Sequence, residues 1–126
     1  MSDPDKIKQV FTNYSIIIVS EDETVCRILG KAFENRGGTV QIYNNGNMAL
    51  SSIDSGSVDV VVYAGMVEKG GPDWFLQQVR TQKKASVNVI WYVGDEKFNE
   101  MDGHTQRPFR PVELLRPIYS TLKSAS

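Results

Sequence analysis

Three segments of the chain are apolar with little or no interruption and rich in β-branched residues. They cover residues 15–20, 58–63 and 87–93. A strand that is apolar on both faces belongs inside a sheet that is covered on both sides. Two less apolar segments, Thr39–Tyr43 and Gly103–Gln106, have the length and the flanking turn residues of further strands. The pattern therefore predicts five strands, three of them central.

Apolar residues at helical spacing separate these strands. The predicted inward positions, from the first helix to the last, are Val25, Ile28, Leu29, Ala32, Phe33; Met48, Ala49, Leu50, Ile53; Phe75, Leu76, Val79; and Leu114, Leu115, Ile118, Leu122. Gly37-Gly38 is predicted to end the first helix. Strands and helices that alternate along the whole chain predict a five-stranded, doubly wound parallel α/β sheet with helices on both faces.

The composition limits the classes of function that the protein can have, and it leaves the predicted fold unchanged. The 126 residues are 40% hydrophobic, which suits one domain with one core. The 14 basic and 15 acidic residues give a net charge of -1, so no overall charge favours nucleic acid or an anionic membrane. Apolar runs far shorter than about 20 residues predict no membrane span. An acidic N-terminus is atypical of a signal peptide, so we expect a cytoplasmic protein.

The domain boundaries follow from the same pattern. We expect residues 1–14 to form an N-terminal extension that accommodates a short helix over residues 4–13. Residues 15–123 form the predicted domain, and residues 124–126 begin a tail or linker.

No chemical role is predicted for four residues of reactive or aromatic type, which are Trp91, Tyr92, Cys26 and His104. Trp91 and Tyr92 are neighbours in a strand, so they are predicted to point to opposite faces of the sheet. Cys26 and His104 are the only residues of their types, which excludes an internal disulfide and leaves too few ligands for a transition-metal cluster. We expect Cys26 to be a packed thiol and His104 to be a surface residue, and we expect no cofactor.

In a sheet of this kind, ligands and catalytic residues lie beyond the carboxyl ends of the strands. Ser20 and Glu21 follow the first strand, and Ala64 ends the third. Val93 ends the fourth strand, and Arg107 follows the fifth. These five positions are the place to look for chemistry.

The strand ends lie within four segments that carry a family resemblance. In chain order they read IIIVSEDETVCRIL, DVVVYAGM, VIWYVG and RPFRPVELL. Over nearly the whole chain, from about Ser15 to Leu122, they resemble the receiver (CheY-like) domains of bacterial two-component response regulators. In that family an acidic pair after the first strand holds Mg²⁺, and an aspartate at the end of the third accepts a phosphoryl group. A Thr or Ser ends the fourth strand, and a Lys-Pro pair follows the fifth.

The resemblance places other residue types at most of these positions. Ser20 and Glu21 stand where the acidic pair is expected. Ala64 stands at the phosphoacceptor position, Val93 at the Thr/Ser position and Arg107 at the lysine position. Alanine offers no nucleophile, and a single glutamate is a poor Mg²⁺ site. The resemblance therefore implies a degenerate receiver, or pseudo-receiver: a non-enzymatic signalling module without catalytic residues or a metal.

Alternatives to this interpretation stay open. Glu68 or Asp95, each in a loop after a strand, could replace the missing phosphoacceptor. Asp59 is a poor replacement, because it lies at the other end of its strand, about 15 Å away at about 3.3 Å per residue. The former phosphorylation pocket could instead bind a small ligand or an anion, or Arg107 could form an ion pair with Glu21 across it.

The pseudo-receiver hypothesis also predicts a partner surface. We expect Trp74, the loop Met66–Gly71 and the segment Asp95–Gly103 to contact a protein. Other domains of the same regulator are candidate partners, and the formation of a homodimer stays an open alternative. Only 13 residues separate Val93 from Arg107, so the fourth helix of the family is predicted to be shorter by about two turns. Direct binding to nucleic acid or membrane is not expected.

Overall fold

The structure, a computed structural model, describes residues 10–55, 58–64, 71–81, 87–94, 101, 103–106 and 110–125. The strands in this part of the chain are β1 (Ser15–Val19), β2 (Thr39–Tyr43), β3 (Val58–Ala64), β4 (Val87–Gly94) and β5 (Gly103–Gln106). The helices are α1 (Glu23–Glu34), α2 (Gly46–Ser55), α3 (Gly71–Thr81) and α4 (Pro111–Ala125). The strands form one parallel sheet in the order β2-β1-β3-β4-β5. The predicted α/β fold with a parallel sheet is confirmed.

The central strands are apolar on both faces, and both faces are covered. Ile16–Val19 of β1 and Val60–Ala64 of β3 are buried. Their alternate residues divide between two apolar layers, one against α1 and α4 and the other against α2 and α3. Trp91 lies in the first layer and Tyr92 in the second, as the alternation predicted.

Helix α1 is fixed at both ends by local interactions. The side chain of Asp22 accepts hydrogen bonds from the backbone N–H groups of Thr24 and Val25, at 2.9 and 3.2 Å. After the last turn, Gly37 has a φ of 92°, a left-handed conformation that glycine adopts without strain. The predicted stop at Gly37-Gly38 is confirmed.

Two residues that helical spacing assigned to the core are exposed. Ile28 of α1 is 46% exposed, and Met48 of α2 is 55% exposed. Each lies about 100° around its helix from a buried neighbour, Leu29 or Ala49, because successive residues are about 100° apart. That rotation carries both side chains past the side of the helix that faces the sheet, so the prediction was wrong at these positions.

The core begins before the predicted domain boundary. Phe11 is fully buried, and its ring makes edge-to-face contacts with Phe33 and Tyr119, with centroids 5.0 and 6.0 Å away. Its backbone N–H donates to the carbonyl of Arg36 at 2.9 Å. Residues 10–13 form a turn rather than the end of a helix, and residues 4–9 lie outside the described residues. Aromatic packing therefore makes the end of the predicted extension part of the domain.

The last helix extends to the end of the described residues. Helix α4 continues to Ala125, past residue 123, where the sequence pattern ended the domain. No glycine or proline follows Pro117 in this helix, so nothing in the backbone chemistry ends it earlier. The shortened fourth helix was predicted in the segment Asp95–Gly103, of which residues 95–100 and 102 lie outside the described residues.

Asp59 connects three strands where they begin. Its Oδ2 atom accepts a hydrogen bond from the backbone N–H of Ser15 at 2.8 Å. Its Oδ1 atom accepts one from the side-chain amide of Asn88 at 3.1 Å. One carboxylate on β3 therefore holds the first residue of β1 and the second residue of β4.

We predict that Asp59→Ala lowers the free energy of unfolding by about 1–3 kcal/mol, because it leaves the part-buried N–H of Ser15 without this acceptor. Urea denaturation followed by circular dichroism measures the loss. Asn88→Ala is the control, since it keeps the bond to Ser15 and should cost less. Equal losses in the two variants would contradict this role for Asp59.

A tryptophan connects β4 to the edge strand β5. The indole N–H of Trp91 donates a hydrogen bond to the hydroxyl of Thr105 at 2.9 Å. A Cβ atom built on Gly103 would overlap the Trp91 ring, so the ring lies directly against the backbone of β5. The hydroxyl and the glycine, two residues apart on one side of the strand, together hold the indole in place.

We predict that Thr105→Val lowers the free energy of unfolding by about 1–3 kcal/mol, because the buried indole N–H loses its acceptor. The change is measured by thermal or urea denaturation. Thr81→Val is the matched control: its exposed hydroxyl donates within its own helix, to the carbonyl of Gln78. This control should stay within about 0.5 kcal/mol of the parent chain. A loss no larger than the control's would show that the indole bond contributes little.

Candidate functional site

The strand register brings the predicted pocket positions on three strands to one edge of the sheet. Ala64 of β3 is paired with Val93 of β4, and Val93 is paired with Thr105 of β5. One residue earlier along the strands, Val19 of β1 is paired with Tyr63 of β3. Ser20, which follows Val19, therefore lies level with these residues at the carboxyl end of the sheet. Arg107, the fifth predicted position, lies outside the described residues.

Ser20 is the polar residue at this edge that is most fully buried, with 2% of its surface exposed. Its backbone N–H donates to the carbonyl of Tyr43 at 3.0 Å, which continues the pairing of β1 with β2. Its hydroxyl oxygen accepts a hydrogen bond from the backbone N–H of Asp22 at 3.1 Å. Ser20 thus supports the turn between β1 and α1.

Ala64 and Val93 lie within the apolar layer of α1 and α4. Both are buried, and neither side chain carries a polar atom. Next to them, the hydroxyl of Thr105 is already bonded to the indole of Trp91. Ala64 and Val93 therefore present packed apolar side chains at the carboxyl end of the sheet.

Among the described residues, the acidic side chains near Ser20 do not fit a Mg²⁺ ion. Asp22 uses a carboxylate oxygen to accept hydrogen bonds at the start of α1. The Glu21 side chain is exposed, and Ala64 and Val93, which are level with the preceding Ser20, offer no side-chain oxygen. Mg²⁺ requires a near-octahedral shell of oxygen ligands, usually with one or two carboxylates and a phosphate. Among the described residues, no group of three His, Cys, Asp or Glu side chains is placed to hold a metal ion.

Cys26 packs below this edge. It is buried, and its thiol donates to the carbonyl of Ser20 at 3.5 Å. Burial raises the pKa of the Cys26 thiol, and the negative charges of Asp22 and Glu23 raise it further. The hydrogen bond with Ser20 lowers this pKa, but the net shift is upward. The burial of Cys26 agrees with the prediction of a packed cysteine.

Part of the predicted partner surface is described. Trp74 of α3 is half-buried and packs against the layer of α2 and α3, and Gly103 begins β5. Met66 with the rest of its loop up to residue 70, Asp95 with residues 96–100, and the side chain of His104 lie outside the described residues. Glu68, the alternative phosphoacceptor, lies outside them as well.

The sequence pattern missed a cleft beside Ser20. The cleft has a volume of about 520 Å³ and opens between the starts of α1 and α2 and the end of β2. Its lining residues are Ser20, Glu23, Cys26, Arg27, Ile42, Tyr43, Asn44 and Met48. The exposed side chains of Ile42 and Met48 form the apolar side of the cleft. In the sequence, the turn Asn44-Asn45 marks the place of this cleft. It separates β2 from α2, and each of these elements leaves an apolar side chain exposed.

In the described part of the chain, no helix is both long enough and apolar enough to span a bilayer. No protein-family model matches the sequence. Among curated proteins, the chain is similar to the regulatory protein VanRc of Enterococcus gallinarum, with 22% identity over 114 residues. The match covers 86% of this chain and 49% of VanRc, so the chain spans about half the length of that relative.

Solved structures of receiver domains have the same architecture. The chemotaxis response regulator CheY4 of Vibrio cholerae matches with a TM-score of 0.79 and 18% identity, over 87% of this chain and 99% of CheY4. The receiver domain of the Francisella response regulator 1452 matches with a TM-score of 0.77 and 19% identity, over 90% and 100% of the two chains. The signal receiver domain of an HD domain-containing protein from Pseudomonas fluorescens Pf-5 matches with 0.77 and 16%, over 89% and 88%. This chain therefore has the fold of the CheY-like receiver domains.

Proposed function

We propose that this chain is a pseudo-receiver: a cytoplasmic, non-enzymatic signalling module that binds a protein partner without a phosphorylation cycle. The observation that carries this proposal is the buried pair of Ala64 and Val93 at the carboxyl ends of β3 and β4. A receiver of the ordinary kind needs a carboxylate and a hydroxyl at these two positions. Neither an alanine nor a valine can accept or hydrogen-bond a phosphoryl group.

The surroundings of this pair support the same proposal. The hydroxyl of Ser20 and the carboxylate of Asp22 are both engaged in shaping the start of α1. The methyl groups of Ala64 and Val93 offer no hydrogen bond to a phosphoryl group placed beside them. Such a group would lose hydration there without gaining hydrogen bonds from these two side chains, which is unfavourable for an anion.

The connection between β4 and β5 favours a scaffold with one conformation. A switching receiver relays a change at its pocket through residues of β4 and β5. Here Trp91 is packed against Gly103 and bonded to Thr105, which holds the two strands together. The mechanism that fits this arrangement is docking, in which a rigid surface is recognised as it stands.

The partner surface in this proposal includes Trp74, the loop Met66–Gly71 and the segment Asp95–Gly103. Trp74 supports it because the side chain is half-buried, with a packed base and an accessible remainder. Tryptophan held in this way contributes large contact area at low entropic cost. The similarity to half of a regulatory protein supports other domains of the same regulator as partners.

A second candidate function is binding of a small ligand, and the cleft beside Ser20 favours it. A volume of about 520 Å³ lies within the range of small-molecule sites. Arg27 and Asn44 offer hydrogen-bond donors there, and Ile42 offers apolar contact. Thermal denaturation in the presence of candidate metabolites tests this function, since a ligand that binds only the folded state raises the Tm.

The proposed function predicts that incubation with Mg²⁺ and acetyl phosphate leaves the intact mass of the protein unchanged. The double variant Ser20→Asp/Ala64→Asp restores two carboxylates at the edge of the sheet and serves as the control. If it folds by circular dichroism, it should gain an adduct of about 80 Da, the mass of one phosphoryl group.

An adduct on the parent chain would overturn the proposal, and peptide mapping would then identify the acceptor. Modification of Glu68 or Asp95 would identify an atypical receiver. Modification of Asp59 is not expected, because both of its oxygens are bonded at the opposite end of β3.

A further inference from the structure

The edge of the sheet formed by β2 has an outer side with which no strand pairs in the described part of the chain. The inner side is defined by two hydrogen bonds. The N–H of Thr39 donates to the carbonyl of Tyr14, and the carbonyl of Tyr43 accepts from Ser20, both at 3.0 Å. Backbone groups alternate in direction along a strand. The N–H and C=O groups of Val40 and Ile42 therefore point outward, away from β1.

This edge lacks the features that usually protect an edge strand. Soluble proteins place charges, prolines or bulges on such strands to prevent pairing with another chain. Between Thr39 and Tyr43 there is no charged residue and no proline, and all five residues are paired in regular register with β1. Ile42 is 48% exposed, the largest apolar exposure on a strand among the described residues.

Helix α1 lies directly over this edge. A Cβ atom built on Gly30 would come within 3.2 Å of the Ile42 side chain and 3.7 Å of the Val40 side chain. The missing side chain of Gly30 thus allows the helix to approach the strand closely. It also places Gly30 level with the midpoint of β2, at Gln41.

We propose that β2 pairs with β2 of a second copy of this chain, antiparallel, about a twofold axis at Gln41. In this register Val40 of each copy lies opposite Ile42 of the other. Each of these two pairs exchanges two backbone hydrogen bonds, so the outward groups of both strands are all satisfied. The side chains of Val40 and Ile42 also meet across the new strand pair, which covers the exposed surface of Ile42.

The charges on α1 are complementary to those of a second copy in this arrangement. Arg27 precedes Gly30 by three residues, and Glu34 follows it by four. They are seven residues apart, or about two turns, and therefore share one side of the helix. When two copies of α1 run antiparallel beside each other, Arg27 of each lies opposite Glu34 of the other. Both side chains are exposed, and neither has an ionic partner among the described residues.

These features favour a second copy over an unrelated extended peptide. A peptide added to the edge needs only free backbone groups and an apolar contact. A second copy meets three further conditions under one twofold axis. The backbone register, the apolar pairing and the order of charges on α1 are each complementary to themselves. The interface is small, so the dimer is expected to form in a concentration-dependent manner.

Sedimentation velocity of the 126-residue chain over a range of about 5 to 500 μM tests this dimer. The parent chain should shift from monomer to dimer within that range. Ile42→Lys should weaken dimerisation at least about tenfold, since it places two charges at the centre of the strand pair. Ile28→Lys is the matched control, because Ile28 has similar exposure on α1 but lies on the side away from β2, and it should leave the dissociation constant unchanged.

Charge reversal then tests the pairing of the helices. Arg27→Glu should weaken the dimer, because it places like charges opposite each other, and adding Glu34→Arg should restore it. A parent chain that stays monomeric at the highest concentration, or a dimer that Ile42→Lys leaves unchanged, would overturn the proposal. Either result leaves the proposed function intact, because β2 lies at the opposite edge of the sheet from β5 and contributes no residue to the row of Ala64 and Val93.

Discussion

The structure depends on one constraint, which is the burial of β1, β3 and β4 on both faces. Strands without a polar face require helices above and below them, and this requirement sets the alternation of strands and helices along the chain. Parallel pairing then brings the carboxyl ends of all three strands to the same edge. The row of Ser20, Ala64 and Val93 is thus a consequence of the sheet and does not require a separate local motif.

The same burial determines what this edge can do. In a receiver domain the strand ends leave the apolar core and carry polar groups around a phosphoryl group and Mg²⁺. Here Ala64 and Val93 extend the core to the carboxyl ends of their strands, and Trp91 extends it to β5. In the proposed pseudo-receiver, this continuous apolar layer stands in place of the oxygen atoms that phosphoryl transfer needs. The proposal leaves the outer surfaces of the scaffold for binding, at Trp74 and at β2.

Much of this arrangement was predictable from the sequence, and the errors have physical reasons. Continuous β-branched runs identify buried strands because few other structures accommodate them, and strand ends identify the pocket positions because the topology fixes their edge. Helical spacing locates the buried side of a helix only within about one residue, which is why Ile28 was wrongly assigned to the core. Phe11 belonged to the pattern that predicted a short helix over residues 4–13, but its burial depends on aromatic contacts with distant residues, which periodicity does not describe. The cleft beside Ser20 depends on how two helices begin around β2, which periodicity does not describe.

The most direct measurement is a titration of the ¹⁵N-labelled protein with Mg²⁺ and beryllofluoride, which mimics a phosphoryl group on an aspartate. The amides of Ser20, Ala64, Val93 and Thr105 report on the edge of the sheet from four neighbouring strands and turns. A scaffold independent of phosphorylation predicts that these signals keep their chemical shifts throughout the titration. Saturable shifts at Ala64 and Val93 would contradict it, because they would show that the edge still binds the phosphoryl mimic.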